Sequence, residues 1–292
     1  MSTLIVKSPA KVNLFLHVTG KRPDGYHDLL SLMCCVSLYD HLELKPSAEP
    51  GIRIRCRDKG VPENDSNLAY KAADLFFSRL GCDPALPQDE NRGGLTIRIE
   101  KNIPVAAGLG GGSSNAAAVL SALNKLYGFP FSAVDLRDMG LSLGADVPFF
   151  LFGSPAIAGG IGEKLKKYEK LKSYTILLVC FEFTVSTGWV YKNLNLRLTK
   201  CKKQLRNFLF GEAEFDVGRH LCNDLETVTA ARHPEIQQAK KDLMALQARG
   251  ALMSGSGPTV FGIYAGADKA RNAREALAVD GVRKAFVADL LV

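Results

Sequence analysis

Three consecutive glycines followed by two serines constrain this chain more than any other feature of its sequence. Residues 108–114 read Gly-Leu-Gly-Gly-Gly-Ser-Ser, after the alternating apolar residues of 95–99 and before an unbroken helix-forming stretch, 115–127. Glycine has no Cβ, so such a backbone can take positive φ angles and approach a bound group closely. Serines at a helix start can cap the helix and donate hydrogen bonds. The pattern predicts a strand, a ligand-binding loop and a helix.

A glycine loop at the head of a helix favours binding of a polyphosphate. The helix start offers unpaired N–H groups and the positive end of the helix dipole, which together form an anion site. A tight turn that only lets the helix pack on the strand is the plainer alternative. The common nucleotide-binding motifs do not match. No lysine follows the glycines as in GxxxxGK[ST], Ser113 occupies the sixth position of GxGxxG, and no HRD or DFG is present.

Apolar periodicity predicts a mixture of strands and helices. Residues 4–18 read as a strand interrupted near Ser8-Pro9, and strand alternation places Lys11 and Asn13 on one face of it. Helices and strands follow each other without a regular βαβ alternation, which favours an α+β fold. Further strands are predicted at 29–44 (one or two), 95–99, 174–183 and 259–264, and helices at 67–80, 115–127, 133–143, 234–249 and 269–277.

The length of 292 residues predicts about two domains at roughly 150 residues each. Glycine, alanine, proline and serine cluster at 153–162, between two apolar stretches. We therefore expect a domain boundary there. The N-terminal domain, 1–155, contains the glycine-rich loop, and the C-terminal domain, 156–292, is α+β.

The positive net charge favours anionic partners but does not identify their chemical class. The formal net charge is +7, from 37 Lys and Arg against 30 Asp and Glu. Such a field does not separate nucleic acid from a phosphorylated small molecule. The densest basic run, 200–206, lacks interleaved aromatic residues and is more typical of a solvated helix face, so no nucleic-acid partner is expected.

Cysteine and histidine spacing predict neither disulfides nor a zinc site. The histidines show no HxH or HxxxH spacing, and no CxxC pair occurs. No leader sequence and no run of 18 apolar residues is visible, so we expect a cytoplasmic protein with no membrane partner. The cysteines read as reduced thiols that fill the core: Cys34, Cys35, Cys56, Cys82, Cys180, Cys201 and Cys222.

Residues 104–118 closely resemble the ATP-phosphate loop of the GHMP small-molecule kinase superfamily. Three further segments resemble one branch of it: Ser-Pro-Ala-Lys-Val-Asn-Leu-Phe-Leu at 8–16, Arg-Pro-Asp-Gly-Tyr-His-Asp at 22–28 and Leu-Gly-Ala-Asp-Val-Pro-Phe at 143–149. Ser-Gly-Ser-Gly-Pro at 254–258 is similar to the superfamily's third motif. The resemblance extends over about residues 4–264. It implies a two-domain GHMP-kinase-like fold with the active-site cleft between the domains.

The resemblance implies an ATP-dependent kinase whose acceptor is an alcohol linked to cytidine diphosphate. Phosphoryl transfer to an alcohol requires charge neutralisation, in-line positioning and a base for the hydroxyl proton. Asp146 matches the family's catalytic aspartate and is expected to be that base. Lys11 matches the active-site lysine and is expected to keep Asp146 ionised or to face the transferring phosphate. From position alone, Asp146 could equally cap a turn, and Lys11 could be a solvated charge.

Several aromatic residues are implied in recognition of the substrate. Tyr26 and His27 match the family's recognition element, and a cytosine ring suits one stacking aromatic and one imidazole or backbone partner. Tyr191 resembles the second aromatic of a cytosine sandwich, with Trp189 and Phe183 as alternatives. Without the family context, core packing is the plainer interpretation of all of these aromatics.

The remaining implied contacts are polar or glycine residues. Asn13 is expected to bind the substrate polyol or to hold Lys11. The segment Asn223-Asp224-Leu-Glu226 is interpreted as structural. Gly255, Ser256 and Gly257 are expected to approach the phosphate loop or the substrate. The expected ATP-binding residues are Pro104, Val105, Ala106, Ala107, Gly108, Leu109, Gly110, Gly111, Gly112, Ser113 and Ser114.

ATP and Mg²⁺ are the implied cofactors, and two other functions stay open. Mg²⁺ readily keeps several waters, so we expect ATP phosphates to hold it, with help from Ser114 and without a dedicated protein site. Adenine contacts are expected around residues 64–68 and on the strand before the glycine-rich loop. The alternatives are another GHMP kinase, of homoserine or mevalonate type, and a non-catalytic module that binds RNA or polyphosphate. The sequence does not indicate an oligomeric state.

Overall fold

The computed structural model describes residues 3–47, 49–81, 94–199, 201, 205, 214–278 and 284–292. Strands and helices are mixed along the chain, which confirms the predicted α+β class. The chain forms two compact units. The first contains Met1–Ala10, Leu38–Val105 and Gly110–Gly153, and the second contains Lys11–Ser37, Ala106–Leu109 and Ser154–Val292.

The first unit consists of strands covered by helices. Strand β4 (Gly94–Glu100) pairs antiparallel with the end of β2 (His27–Ser47) and parallel with β3 (Ile52–Cys56). The first half of β1 (Leu4–Lys21) also belongs to this unit. The helices are α1 (Leu68–Arg79), α2 (Gly111–Leu126), α3 (Ala133–Leu143) and α4 (Val147–Phe152).

The core of the first unit fixes where α2 begins. Small residues face the neighbouring helix from both α1 and α2, among them the fully buried Ala72, Ala73 and Ala116. Phe76 is also fully buried and packs edge-on against Phe131. Close packing of this kind leaves little freedom for the helix axis, so the loop before α2 is held against a rigid support.

The second unit is built around a four-stranded antiparallel sheet. In it β7 (Thr175–Cys180) lies between β10 (Val260–Tyr264) and β11 (Lys284–Asp289), and β9 (Gly250–Met253) pairs with the outer side of β10. All six residues of β7 are buried. The helices are α5 (Thr187–Lys192), α6 (Glu226–Arg232), α7 (Glu235–Ala245) and α8 (Ala267–Ala278), with a 3₁₀ turn at Leu196–Leu198.

The second half of β1 and the first half of β2 belong to the second unit. There β1 pairs with β8 (Cys222–Asn223) at Phe15 and Leu16, and β2 pairs with β5 (Ala156–Gly159), which pairs with β6 (Lys164–Lys167). The chain end returns to β2, where the Leu291 amide donates to the Cys35 carbonyl at 2.9 Å.

Several element boundaries differ from those expected. Strand β1 is not interrupted near Ser8-Pro9 but continues through both residues from Leu4 to Lys21. Residues 27–47 form a single strand rather than two. The helix predicted at 234–249 ends at Ala245, before Gln247 with its positive φ of 67°. The helices predicted at 67–80 and 133–143 are confirmed.

The residue ranges of the two compact units differ from those of the two predicted domains. A break lies close to the expected boundary, between Gly153 and Ser154, but Lys11–Ser37 and Ala106–Leu109 belong to the second unit. The reason is that β1 and β2 are long enough to take part in both units. The division into 1–155 and 156–292 stays a prediction. Cys82 and most of the basic run 200–206 lie outside the described residues.

The described cysteines form no disulfide. Burial raises the pKa of the Cys180 thiol to about 11 and that of Cys35 to about 12. These two thiols are therefore protonated at neutral pH, as expected of core residues rather than nucleophiles. Among the described helices, none has both the length and the apolar composition that crossing a bilayer requires.

Candidate active site

Helix α2 begins inside the glycine run. Its N-cap is Gly110, which has a left-handed backbone (φ 71°), and within the described residues no side chain caps its first turn. Ser113 and Ser114 therefore lie in the first turn and do not cap it, which corrects the expected role. Glycine tolerates the left-handed conformation without a side chain. The N–H groups of this turn can consequently be reached by a phosphate.

A buried cation lies directly behind the loop. A Cβ added at Gly111 would lie 3.0 Å from Lys101 Nζ and 3.1 Å from Ile103 Cγ2. Lys101 Nζ donates to Asp40 Oδ2 at 2.8 Å and also to the Ile103 carbonyl. Because the loop rests on these side chains, Gly111 has little room for any other residue. The sequence analysis attached no function to Lys101 or Asp40.

The turn that carries Asp146 runs beside the start of α2, next to the glycine-rich loop. Asp146 occupies the N-cap position of α4 and is partly buried. Gly144, two residues earlier, would place a Cβ 3.9 Å from Ser113 Oγ. The first unit thus holds the glycine loop and the Gly144–Asp146 turn next to each other. The predicted role of Asp146 as base remains a prediction.

Lys11 and Asn13 share one face of β1 and form a buried polar chain in the second unit. Lys11 Nζ donates to Asn13 Oδ1 at 2.7 Å, and Asn13 Nδ2 donates to Ser31 Oγ at 2.9 Å. Ser31 Oγ in turn donates to the Phe15 carbonyl at 2.6 Å. Lys11 is 4% exposed, so it is not the solvated charge that its position alone would suggest. Of the two expected contacts of Asn13, the structure shows the one to Lys11.

Residues 106–109 pack closely against the loop at 254–257. Ser254 Oγ donates to the Gly108 carbonyl at 3.0 Å, and the Thr259 amide donates to the Ala107 carbonyl at 3.3 Å. Gly108 has φ 77°, and a Cβ there would lie 2.3 Å from the Ser254 carbonyl oxygen. The structure thus joins this half of the glycine-rich segment to the third motif, as the sequence analysis expected for residues 255–257.

The 254–257 loop also reaches the Lys11 pair. A Cβ at Gly255 would lie 3.4 Å from Lys11 Nζ and 3.5 Å from Asn13 Oδ1. Glycine at this position, with φ 57°, lets the backbone approach both groups closely. The second unit therefore gathers Lys11, Asn13, Gly255 and the segment 106–109 in one place. Pro104 and Val105 precede that segment in the first unit, with Val105 exposed.

Three polar side chains hold the 254–257 loop in position. Asn223 Nδ2 donates to the carbonyls of Met253 and Gly255 at 2.8 and 2.7 Å. Thr229 Oγ1 donates to the Ser256 carbonyl at 3.1 Å, and the hydroxyls of Thr187 and Ser256 are 2.8 Å apart. The interpretation of the Asn223 segment as structural agrees with these contacts. The sequence analysis named neither threonine, and no local pattern marks them.

His27 and Tyr191 form a stacked pair. Their ring centroids are 5.1 Å apart with an interplanar angle of 29°. Tyr26 is 57% exposed, on the turn that Asp24 stabilises by accepting from the Tyr26 amide at 3.1 Å. The structure thus brings together two of the three aromatics implied in recognition, and leaves the third beside them in the chain with its ring available.

The two alternative aromatics have partners elsewhere in the second unit. Trp189 lies under the Arg232 guanidinium at 4.8 Å, and Phe183 stacks on His233 with centroids 4.2 Å apart.

Burial, assisted by the positive charge of Lys21, lowers the pKa of His27. The imidazole is therefore neutral at pH 7 and has one donor and one acceptor nitrogen.

The donor set near the loop fits a metal held by phosphate oxygens. Among the described residues, no group of three or more His, Cys, Asp or Glu side chains is placed to hold a metal ion. The groups at the loop are the Ser113 and Ser114 hydroxyls and the separate carboxylate of Asp146. Mg²⁺ accepts such sparse protein ligands when phosphates and waters complete its shell.

Comparison with known families first defines the class. Residues 67–154 match the GHMP kinases N terminal domain and residues 202–281 match the GHMP kinases C terminal domain. A crystal structure of homoserine kinase from Cytophaga hutchinsonii superposes with a TM-score of 0.75 over 100% of this chain and 95% of its own, at 18% identity, which shows the shared fold. Fold and loop therefore define a GHMP-type kinase, an ATP-using phosphotransferase.

Relatives of higher sequence identity identify the family within this class of kinases. A curated 4-diphosphocytidyl-2-C-methyl-D-erythritol kinase of Syntrophus aciditrophicus is 48% identical over 97% of this chain and 98% of its own length. A crystal structure of 4-(cytidine 5'-diphospho)-2C-methyl-D-erythritol kinase has a TM-score of 0.78 at 36% identity, covering 98% of this chain and 99% of its own. The chain belongs to the family of 4-diphosphocytidyl-2-C-methyl-D-erythritol kinases.

Proposed function

We propose that the chain transfers the γ-phosphoryl group of ATP to the 2-hydroxyl of 4-diphosphocytidyl-2-C-methyl-D-erythritol, in the non-mevalonate pathway to isoprenoids. The observation that carries the proposal is the 48% identity to a kinase of that name over nearly the whole chain. The stacked pair of His27 and Tyr191 favours this acceptor over homoserine and mevalonate, which have no aromatic ring.

Asp146 is the proposed base for the acceptor hydroxyl. Its turn runs beside Ser113 of the phosphate loop, as the 3.9 Å approach from Gly144 indicates. A carboxylate near a bound triphosphate can take the hydroxyl proton as the oxygen attacks the γ-phosphorus. This placement supports catalysis over a purely capping role, because the Asp146 side chain makes no cap hydrogen bond to α4.

Lys11 is the proposed cation for the transferring group. Asn13 Oδ1 accepts from its ammonium at 2.7 Å, and Asn13 is held in turn by Ser31. An ammonium that is buried and oriented in this way provides a fixed positive charge where phosphate charge develops.

The glycine loop is the proposed site of the ATP phosphates, and Mg²⁺ the proposed ion. The uncapped first turn of α2 fits anionic oxygens, and the hydroxyl of Ser114 is the protein group best suited to assist the ion. When bound, the ion would neutralise phosphate charge. The proposed adenine contacts are those expected around residues 64–68 and on the strand before the glycine-rich loop.

The cytosine ring is proposed to stack on the exposed Tyr26 and to contact the pair of His27 and Tyr191. The neutral His27 ring offers both a donor and an acceptor to the edge of a base.

Both substrates carry phosphate charges that cannot cross a bilayer unaided, so the proposed location is the cytoplasm, where ATP is made. No nucleic-acid partner is proposed.

A panel of acceptors tests the function. Release of ADP by the purified protein is measured with the cytidylyl alcohol, with the free methylerythritol, with homoserine and with mevalonate. We expect turnover with the cytidylyl alcohol alone, and a Tyr26→Ala variant should need a higher concentration of it. Turnover of homoserine or mevalonate at a comparable rate would assign the chain to another kinase type.

Replacement of Asp146 tests the proposed base. Asp146→Asn should lower kcat by about 10²–10⁴-fold, the usual contribution of general-base catalysis, and leave the affinity for ADP unchanged. The matched control is Asp138→Asn, an exposed carboxylate on α3 of the same unit, which should keep full activity. Retained turnover in Asp146→Asn would remove the aspartate from the mechanism.

A further inference from the structure

A run of buried polar side chains leads from Lys101 to Ser114, at the end of the phosphate loop. Its centre is Asp40, which is fully buried. Asp40 Oδ1 accepts from the backbone amides of Asn102 and Ile103, both at 2.8 Å. Asp40 Oδ2 accepts from Lys101 Nζ at 2.8 Å and from Asn115 Nδ2 at 2.9 Å. Four donors therefore meet this carboxylate, three from residues 101–103 and one from α2.

The run continues from Asn115 to Ser114. Asn115 Nδ2 donates to Ser8 Oγ at 2.9 Å, and Ser8 Oγ donates to Ser114 Oγ at 2.7 Å. Ser8 is fully buried and Ser114 is 1% exposed. The residues come from β1, β2, α2 and the segment 101–103 that follows β4, all within the first unit. One connected set of hydrogen bonds thus joins the start of α2 to β1, to β2 and to this segment.

In this set the protons run from Asn115 to Asp40 and Ser8, and from Ser8 to Ser114. A carboxylate can only accept, so the Asn115 amide must turn its nitrogen towards it. The other proton on that nitrogen goes to Ser8 Oγ, which is thereby an acceptor. Ser8 has one proton of its own, and it goes to Ser114. Ser114 Oγ therefore accepts from Ser8 and has its own proton to donate elsewhere.

We propose that Asp40, Asn115 and Ser8 are positioning residues that orient the Ser114 hydroxyl as a donor to a phosphate oxygen of the bound nucleotide. The inference rests on the proposed function for its ligand, a nucleoside di- or triphosphate. None of the three positioning residues needs to touch the nucleotide. Ser114 lies in the first turn of α2, directly after the glycines, and its side chain also borders a cavity of about 350 Å³ between β1 and α2 in the first unit.

A merely structural role makes a different prediction. A buried polar network can be replaced as a whole by apolar side chains with little loss of stability. Removal of a single member is costly, because it leaves its partners without a hydrogen bond. If the network only held β1 against α2, removal of the Ser8 hydroxyl would lower stability without a selective effect on nucleotide binding. The two roles are separated by the effect of Ser8→Ala on the affinity for ADP, measured in the protein with Ser114 and in the Ser114→Ala variant.

A double-mutant cycle on Ser8 and Ser114 is the test. The dissociation constant of Mg·ADP is measured by calorimetry for the wild type, Ser8→Ala, Ser114→Ala and the double variant. A lost hydrogen bond of about 0.5–1.5 kcal/mol corresponds to about a two- to twelvefold weaker affinity for Ser8→Ala. Ser114→Ala should weaken binding at least as much, and the double variant should bind as weakly as Ser114→Ala and no weaker. Ser8→Ala should also raise the KM for ATP and leave the KM for the alcohol unchanged.

Additive effects of the two variants, or an unchanged ADP affinity in folded Ser8→Ala, would overturn the proposal. Asp40→Asn leaves the buried Lys101 charge uncompensated and tends to unfold the unit, so Asn115→Ala is the second probe and should weaken ADP binding like Ser8→Ala. Ser142→Ala, a helix serine of the same unit whose hydroxyl donates to the Met139 carbonyl, is the matched control and should bind ADP normally. Because ADP binding does not involve the alcohol, failure of the acceptor assay and failure of this cycle are distinguishable.

Discussion

Asp224 is a buried carboxylate that several donors meet. Asp224 accepts from His17 Nδ1 at 2.7 Å, from the Val18 amide at 3.0 Å and from the Cys201 amide at 3.2 Å, and it is 1% exposed. Burial alone would raise its pKa, but these hydrogen bonds outweigh burial and lower the pKa below its ordinary value of 3.8. The ionised form is therefore the one that stabilises the fold.

Acid should weaken the second unit through Asp224. A carboxylate whose folded-state pKa is lowered contributes stability above its unfolded-state pKa and loses it as the pH falls through the folded-state value. We expect Asp224→Asn to cost about 1–3 kcal/mol of unfolding free energy at pH 7. The difference from wild type should shrink steadily below pH 3.8.

Urea unfolding of both proteins at pH 7, 5, 4 and 3 measures the difference. The control is Asp268→Asn, since Asp268 is exposed and its ion pair with Arg271 should contribute little at any pH. A gap between wild type and Asp224→Asn that stayed constant down to pH 3 would contradict the role assigned to the ionised carboxylate.

Predictions about single residues were correct where a local periodicity, such as the alternation of side chains along a strand, relates neighbouring positions. Strand alternation placed Lys11 and Asn13 on one face, and the 2.7 Å hydrogen bond between them confirms it. Asp40 and Lys101 carried no such signal, because they are 61 residues apart, Asp40 within β2 and Lys101 just after β4. Partners brought together only by the tertiary fold have no spacing that a single sequence can reveal.

At the scale of elements, the glycine-rich segment is used in two ways. Its second half begins α2, and its first half packs against the loop at 254–257. The expected capping by serine was wrong because a left-handed Gly110 already begins the helix. The short helix α4 was not expected at all, since six residues are too few to show a helical period.

The close approach at Gly108 predicts a specific sensitivity. Gly108 and Gly128 have nearly the same backbone angle, φ 77° and 75°, but a Cβ would meet the Ser254 carbonyl at 2.3 Å in the first case and nothing within 4 Å in the second. Gly128→Ala should therefore cost only the strain of the left-handed conformation, about 1–2 kcal/mol. Gly108→Ala should cost about 1–3 kcal/mol more, because an atom is forced into a packed site.

Thermal and urea unfolding without ligand compare the two variants directly. Gly128→Ala should keep full kinase activity, and Gly108→Ala should lose activity together with stability, because the 254–257 loop is displaced. Equal destabilisation by the two substitutions would mean that the 254–257 loop moves aside at no cost. The packing between the two loops would then not define the site.

At the scale of the whole molecule, the chain enters each compact unit more than once. The cluster of small residues at 153–162 predicts a domain boundary there, but it could not show that residues 11–37 belong to the second unit. That placement depends on partners far along the chain: β5 for residues 31–33, β8 for residues 15–16 and the C-terminal strand region for residues 35–37. No local composition records such pairings.

This arrangement predicts that the chain cannot be cut at residue 155 into two independent folding units. A fragment of residues 1–155 would retain Lys11–Ser37 without β5, β8 or the chain end, so the strand halves in that segment would expose unpaired backbone and apolar side chains. Such a fragment should aggregate or unfold without cooperativity, as judged by circular dichroism and urea titration. Unpaired edges of this length are not tolerated alone in water.

Co-expression of residues 1–155 and 156–292 as separate chains is the informative complement. The second fragment supplies the missing strand partners, so the two should be recovered together and should regain Mg·ADP binding, which neither should show alone. The uncut chain, carried through the same purification, is the reference for affinity. A fragment 1–155 that unfolds cooperatively by itself would show that residues 11–37 do not need the second unit, and the sequence-based boundary would then describe the folding units better than the compact ones do.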